Sequence, residues 1–366
     1  MIHIGIDARL THYRVGGIST YIRQLVLALE NIAASRRITV LTSRKSRERL
    51  TSSFPQKAVW TPPHHRLERL ALGAELLRHR LDVLHSPDFI PPRWGARRYV
   101  ITVHDLTFLH YPQYLTADSR AYYNAQIAAA VRQADRILAD SVATYQDLQK
   151  MLNVSSDKLV VAQPGVAAQF VPWPAERTQR ALAALGLPPA YLLHVGTWEP
   201  RKNLVRLLTA YRSLLDALPD APPFVMVGRP GWLYEPMMAE IATLGLGARV
   251  IWRDDIGDAD LPAVYNGATA CVTASVYEGF GLPALESQAC GVPALVSNRS
   301  SLPEIVGETG LQFDPDNVDD ITRALHHAVE QTQWRLQQRP LVLAQAARFN
   351  WAHTAAIALT TYESLV

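Results

Sequence analysis

Residues 273–295, TASVYEGFGLPALESQACGVPAL, constrain the fold of this chain more than any other stretch. An apolar, β-branched run (Cys271, Val272, Thr273) leads into them and breaks at Tyr277-Glu278-Gly279-Phe280-Gly281. Pro283 falls where the first turn of a helix belongs and Gly291 just beyond its end, the usual punctuation of a helix. Pro293-Ala294-Leu295-Val296 then opens a second buried strand. Strand, loop, helix, strand is half of a parallel α/β sheet. In such sheets ligands sit at the carboxyl ends of the strands, beside helix N-termini.

Two carboxylates occupy that position, Glu278 in the loop and Glu286 early in the helix. Gly279 and Gly281 let the backbone approach a ligand closely. The amides of Phe280, Gly281 and Leu282 are expected to point out of the helix N-terminus, where an anion is favoured. A second segment, GTWEPRKN at 196–203, brings two cations to a similar place. Asn203 reads as the N-cap of a helix carrying Leu204, Leu207, Leu208, Tyr211 and Leu215 on one face. Arg201 and Lys202 then stand at the positive end of that helix. Cations there oppose the macrodipole unless an anion is nearby, which predicts a bound phosphate.

The phrase EGFGLPALESQACGVP resembles the signature of the family 4 retaining glycosyltransferases, which have the two-Rossmann-domain GT-B architecture. The resemblance extends over nearly the whole chain, through GGISTY (residues 16–21), VHDLTFLHYP (103–112) and GTWEPRKN. It implies an α/β fold of two facing Rossmann-like domains with a central cleft. It implies that Glu278 contacts the donor sugar, that Glu286 binds the nucleotide ribose, and that Arg201 and Lys202 bind the diphosphate. His104, in VHD, is expected to contact the transferred sugar. The catalytic set implied is His104, Arg201, Lys202 and Glu278. The donor-binding set is Gly16, Gly17, Gly196, Arg201, Lys202, Gly228, Asp255, Ile256, Glu278, Phe280, Gly281, Leu282 and Glu286. His85 and His110 are secondary candidates, Asp105 is expected to orient its loop or His104 rather than react, and Asp140-Ser141 matches the family pattern near the acceptor. Ser141 also reads as a helix cap.

A length of 366 residues fits two domains. They are expected at 1–170 (acceptor) and 190–348 (nucleotide sugar), with a linker at 171–189. Residues 349–366 are expected to form a helix crossing back onto the first domain. The basic stretch 43–63 reads as an irregular connection with one short helix. No apolar run reaches the roughly 18 residues a membrane-spanning helix needs. The start, MIHIGIDAR, reads directly into a strand with no signal peptide. Cys271 and Cys290 offer no disulfide framework or metal spacing, and reduced thiols fit a cytoplasmic protein. Two D-x-D matches, Asp258–Asp260 and Asp314–Asp316, precede helices where acids serve as caps, and no essential metal or other cofactor is expected.

The net charge of +3 conceals an asymmetry: residues 1–100 hold 17 lysines and arginines against 7 acids, a balance of +10, which leaves −7 for the rest. A basic face suits an anionic partner. Without a nucleic-acid motif, that partner is expected to be an anionic membrane at the inner face of the cell membrane, or a diphosphate-linked acceptor. The expected activity is retaining transfer of a hexose, mannose from GDP-mannose first and a UDP-hexose second, onto a glycan or lipid-linked saccharide in cell-surface polysaccharide synthesis. A nucleotide-sugar epimerase and a catalytically inactive nucleotide-sugar-binding subunit are the rival readings. The first lacks visible acid/base carboxylates, and the intact set of charged residues argues against the second.

Overall fold

A computed structural model describes residues 2–13, 16–33 and 35–366. The chain divides into two compact units, Met1–Gly165 with Phe349–Val366, and Val166–Arg348.

The first unit is built on seven parallel strands: β1 (His3–Asp7), β2 (Arg37–Ser43), β3 (Gln56–Val59), β4 (Leu81–Ser86), β5 (Ala96–Val103), β6 (Arg136–Ala139) and β7 (Leu159–Val161). Their order is β3-β2-β1-β4-β5-β6-β7. Strand residues alternate between two apolar layers. Ile4, Ile6, Val83 and Val100 pack with the helices Gly17–Ile32 and Trp351–Glu363. Ile101, Val103 and Ile137 pack on the opposite face with Ile127, Ala130 and Leu148. Tyr362, in the last helix, is fully buried in the first of these layers.

The second unit has six parallel strands: β8 (Tyr191–Val195), β9 (Phe224–Val227), β10 (Val250–Arg253), β11 (Ala268–Thr273), β12 (Ala294–Ser297) and β13 (Leu311–Phe313), in the order β10-β9-β8-β11-β12-β13. Both sheets are doubly wound. Strand order reverses between β1 and β4 in the first and between β8 and β11 in the second, and such reversals open a crevice at the strands' carboxyl ends.

Several local expectations change. No helix forms in 43–63; Gln56–Val59 instead pairs in parallel with β2. As an edge strand with mostly exposed side chains, it carries no apolar run to betray it. Residues 171–189 include the helix Ala175–Ala184. A helix over Thr332–Ala346 holds Pro340 in its interior, a residue that reads locally as a breaker.

Candidate active site

In the second unit the reversal point assembles the charged residues. The loop after β8 runs from Gly196 to a single 3₁₀ turn, Pro200–Lys202, and then the helix Leu204–Ala217. The loop after the adjacent strand β11 runs from Ala274 to the helix Leu282–Ala289. The two loops are tied by the Val276 amide donating to the Arg201 carbonyl at 3.0 Å. Between them Glu278 accepts from Lys202 Nζ at 2.7 Å and Ser275 Oγ at 2.5 Å on one oxygen, and from Arg201 Nη1 at 2.6 Å on the other. Arg201 also donates to Glu199 Oε1, at 2.7 Å from Nη2 and 3.1 Å from Nε.

All four charged groups are nearly buried. Burial would raise the Glu278 carboxyl, but Arg201 and then Lys202 outweigh it and hold it well below the usual carboxylate range. Ser300 Oγ accepts from the Glu278 amide at 2.9 Å, and Ser301 Oγ donates to the carbonyls of Glu278 and Phe280 at 2.9 and 2.6 Å. These serines fix the loop backbone, and the sequence offered no sign of them.

Gly281 caps the following helix at φ +115°, where a Cβ would also lie 2.7 Å from Leu302 Cδ2. Leu282 opens the helix and Pro283 follows it. Gly228 is required for a steric reason: a Cβ there would lie 1.9 Å from the Gly196 carbonyl oxygen. Gly196 adjoins the site, with Lys202 Cε and His194 Nε2 each 3.4 Å from the position of an added Cβ. His194 is buried and donates from Nδ1 to the Val272 carbonyl at 3.0 Å, while its Nε2 has no partner among the described residues. Burial pushes its pKa down to about 4.

Asn203 corrects one expectation. It precedes the helix in the left-handed region (φ +59°) and makes no side-chain cap. Its amide reaches instead to the Pro315 carbonyl at 2.7 Å. Glu286 takes a separate partner, accepting from Tyr265 at 2.7 Å. Burial pushes its carboxyl up to about 7, against the Tyr265 hydrogen bond and with the help of Asp258. Asp255 lies in the loop after β10, gripped by Arg253 at 2.6 and 2.9 Å, and Ile256 follows half-buried.

The first unit places its candidates differently. His104 follows β5, with Nδ1 2.6 Å from Asp140 Oδ2 and Nε2 2.7 Å from the Pro87 carbonyl. A carbonyl only accepts, so Nε2 carries its hydrogen. Burial would lower the imidazole, but Asp140 and then Asp88 raise it to about 9, so both nitrogens are protonated and both are engaged. Its ring meets Tyr21 edge-on at 5.0 Å. Contact of His104 with a sugar through Nε2 therefore requires release of Pro87.

His85 is no site residue. It is wholly buried between Tyr362 OH (2.7 Å) and Thr102 Oγ1 (2.8 Å), and burial with the nearby His104 charge lowers it to about 3. His110 pairs with Asp147 at 2.9 Å. Asp105 accepts from the Thr107 amide at 2.9 Å and so orients its loop, and Ser141 caps its helix by accepting from Thr144 at 3.0 Å. Gly16 and Gly17 start the helix Gly17–Ile32, with open space where a Cβ on Gly16 would lie. Arg14 and Val15 are outside the described residues. At the first unit's own reversal point a buried Arg9 bridges Asp7 (2.7 Å) and Glu68 (2.7 Å), a triad not foreseen because Glu68 lies far along the chain.

Two parallel sheets, each with charged groups at its reversal point, define a doubly wound α/β scaffold of the kind that binds ligands at such points. Residues 177–346 match the family model described as glycosyl transferases group 1, and residues 15–170 the one described as glycosyltransferase family 4. The chain is similar to O-antigen chain mannosyltransferase B of Escherichia coli, 32% identical over 287 residues that cover 77% of this chain and 74% of that protein. It is 33% identical over 274 residues to the serotype-specific mannosyltransferase WbdA of Escherichia coli, covering 73% of this chain and 33% of WbdA. The chain belongs to the family 4 glycosyltransferases. Among solved structures it matches sucrose-phosphate synthase from Thermosynechococcus elongatus (TM-score 0.82, 21% identity, covering 100% and 99% of the two chains). It also matches WaaG, a glycosyltransferase involved in lipopolysaccharide biosynthesis (TM-score 0.78, 16% identity, 97% and 98%). At such identities these likenesses show the GT-B fold alone.

Proposed function

We propose that this glycosyltransferase moves mannose from GDP-mannose, with retention of configuration, onto a growing glycan on a lipid-linked acceptor. The observation that carries the reading is the convergence of Arg201 and Lys202 on Glu278 at the β8/β11 reversal point. A sugar diphosphate leaving its sugar gathers negative charge. Two cations already held in place stabilise that charge without reorganising, and do there what a divalent ion does elsewhere, so no metal is required. The donor diphosphate exchanges with the Glu278 carboxylate for Lys202, which frees Glu278 to accept from a sugar hydroxyl. The acceptor hydroxyl attacks on the face that the diphosphate leaves, and a phosphate oxygen takes its proton, so no separate base is assigned. The mannosyltransferase relatives support mannose as the sugar, and the O-antigen relative supports a glycan-chain acceptor. The basic first unit suits an anionic membrane face.

The test is calorimetric titration of chelator-treated protein with GDP, UDP, ADP, GDP-mannose and UDP-glucose. Selective binding of GDP and GDP-mannose is expected. Selective UDP binding overturns the donor, and a strict requirement for magnesium overturns the metal-free reading.

A further inference from the structure

The helix Glu68–Leu76 and its 3₁₀ extension Leu77–His79 belong to the first unit. Leu72, Gly73 and Leu76 face the core. A surface helix ordinarily turns a polar face outward. Here the outward face is Leu67, Leu70, Ala71, Ala74 and Leu77, and the three leucines are 58%, 40% and 62% exposed. The helix is apolar on both sides.

Two tryptophans extend this surface. Trp60 is 67% exposed and is held beside the helix by its amide, which donates to Glu75 at 2.7 Å. Trp94 is 40% exposed and lies against the helix backbone, its Nε1 2.8 Å from where a Cβ on Gly73 would stand. The adjoining Arg93 amide donates to the Arg69 carbonyl at 2.8 Å.

The charges around this face are of one sign. Arg66, Arg78 and Arg93 are exposed, and the Arg44 guanidinium lies over the Trp60 ring at 4.1 Å. Of the two acids of the helix one is buried and the other half-buried. Glu68 is buried against Arg9, and Glu75 accepts from the amides of Trp60 and Thr61. Exposed leucines, tryptophans at the margin and a rim of arginines without exposed acids are the composition of an interfacial membrane-binding surface. A protein partner would call for shape complementarity and paired charges; a lipid bilayer asks only for apolar insertion and anionic headgroups.

We propose that the face formed by Leu67, Leu70 and Leu77, with Trp60, Trp94 and the surrounding arginines, docks into the surface of an anionic bilayer by shallow apolar insertion. This rests on the lipid-linked acceptor proposed above and gives it a place: the first unit meets its acceptor at the membrane that carries it.

The experiment is flotation of the full chain with vesicles of phosphatidylethanolamine and phosphatidylglycerol, and with phosphatidylcholine vesicles as the uncharged control. Binding to the anionic vesicles at about 0.1 M salt is expected, with a measurable fraction kept at about 0.5 M, where screening removes the purely electrostatic part. The double variant Leu70→Glu, Leu77→Glu should lose at least about tenfold in vesicle binding, since each substitution both removes apolar contact and adds a repelled charge. Its melting temperature should stay unchanged, because both side chains point to solvent. Equal binding by variant and wild type overturns the proposal, as does complete loss of wild-type binding at the higher salt. A wild-type dimer that the variant converts to a monomer, without vesicle binding, assigns the face to a second copy instead. Donor titration of the same variant separates the two readings. Lost vesicle binding with intact donor affinity keeps the enzyme assignment, and vesicle binding without donor affinity removes that assignment and leaves the surface.

Discussion

The two sheets reverse strand order in the same way, yet their reversal points hold charge differently. In the second unit Arg201 bridges Glu199 and Glu278, and Lys202 shares Glu278, at the ends of two adjoining loops. In the first unit Arg9 is closed in by Asp7 and Glu68, and His104 by Asp140 and the Pro87 carbonyl. The proposed function requires the first arrangement to trade a protein carboxylate for a ligand phosphate. The second is a set of internal bonds, where removing a partner strands a buried charge. The same topology therefore gathers two cations and two carboxylates in one unit and an arginine–carboxylate triad with a histidine–aspartate pair in the other.

The strongest way to break this comparison is Lys202→Ala. It should lower sugar transfer on the order of a thousandfold, the scale of losing one preorganised electrostatic group. The chain should still fold, with a lowered melting temperature, because Arg201 is left to serve both Glu199 and Glu278. Near-normal turnover in this variant would remove the charge-stabilising role from the second unit.

The next effect belongs to the first unit and is one of stability. Folding raises His104 from its ordinary value of 6.5 to about 9. The stabilisation is complete below pH 6.5 and is lost as pH rises through 9. Denaturant unfolding at several pH values should show this decline in the wild type and a flatter profile in Asp140→Asn. Parallel profiles for the two proteins would mean that Asp140 does not hold the imidazolium.

A smaller effect sharpens the distinction. Tyr362→Phe removes the hydroxyl bonded to His85 in the buried His85–Thr102–Tyr21 network. It should cost about 1 kcal/mol of stability and leave the donor affinity of the second unit unchanged. A drop in donor affinity on calorimetry would tie this network to the substrate site.

Much of the second unit's site was legible along the chain. Pro283 and Gly291 bracket the helix Leu282–Ala289, and the punctuation works because it depends on local backbone geometry. The dipole argument at Arg201 and Lys202 demanded an anion, and in this structure the anion is Glu278. That carboxylate is 76 residues from Lys202, so no local rule could name it. Asn203 shows the converse: the residue type suits a cap, but the left-handed backbone before the helix turns its amide to Pro315. The edge strand Gln56–Val59 escaped notice because it buries little.

The order of apolar runs, glycines and prolines in this chain is enough to dictate two parallel α/β units and the loops that end their strands, since period, propensity and turn chemistry act over a few residues. Only the tertiary structure decided which charges meet. Lys202 finds Glu278, Glu286 finds Tyr265, and both nitrogens of His104 are consumed by Asp140 and Pro87. Those encounters depend on which strands become neighbours, and burial then sets the protonation of each group by comparing its lost water with the partners it gained.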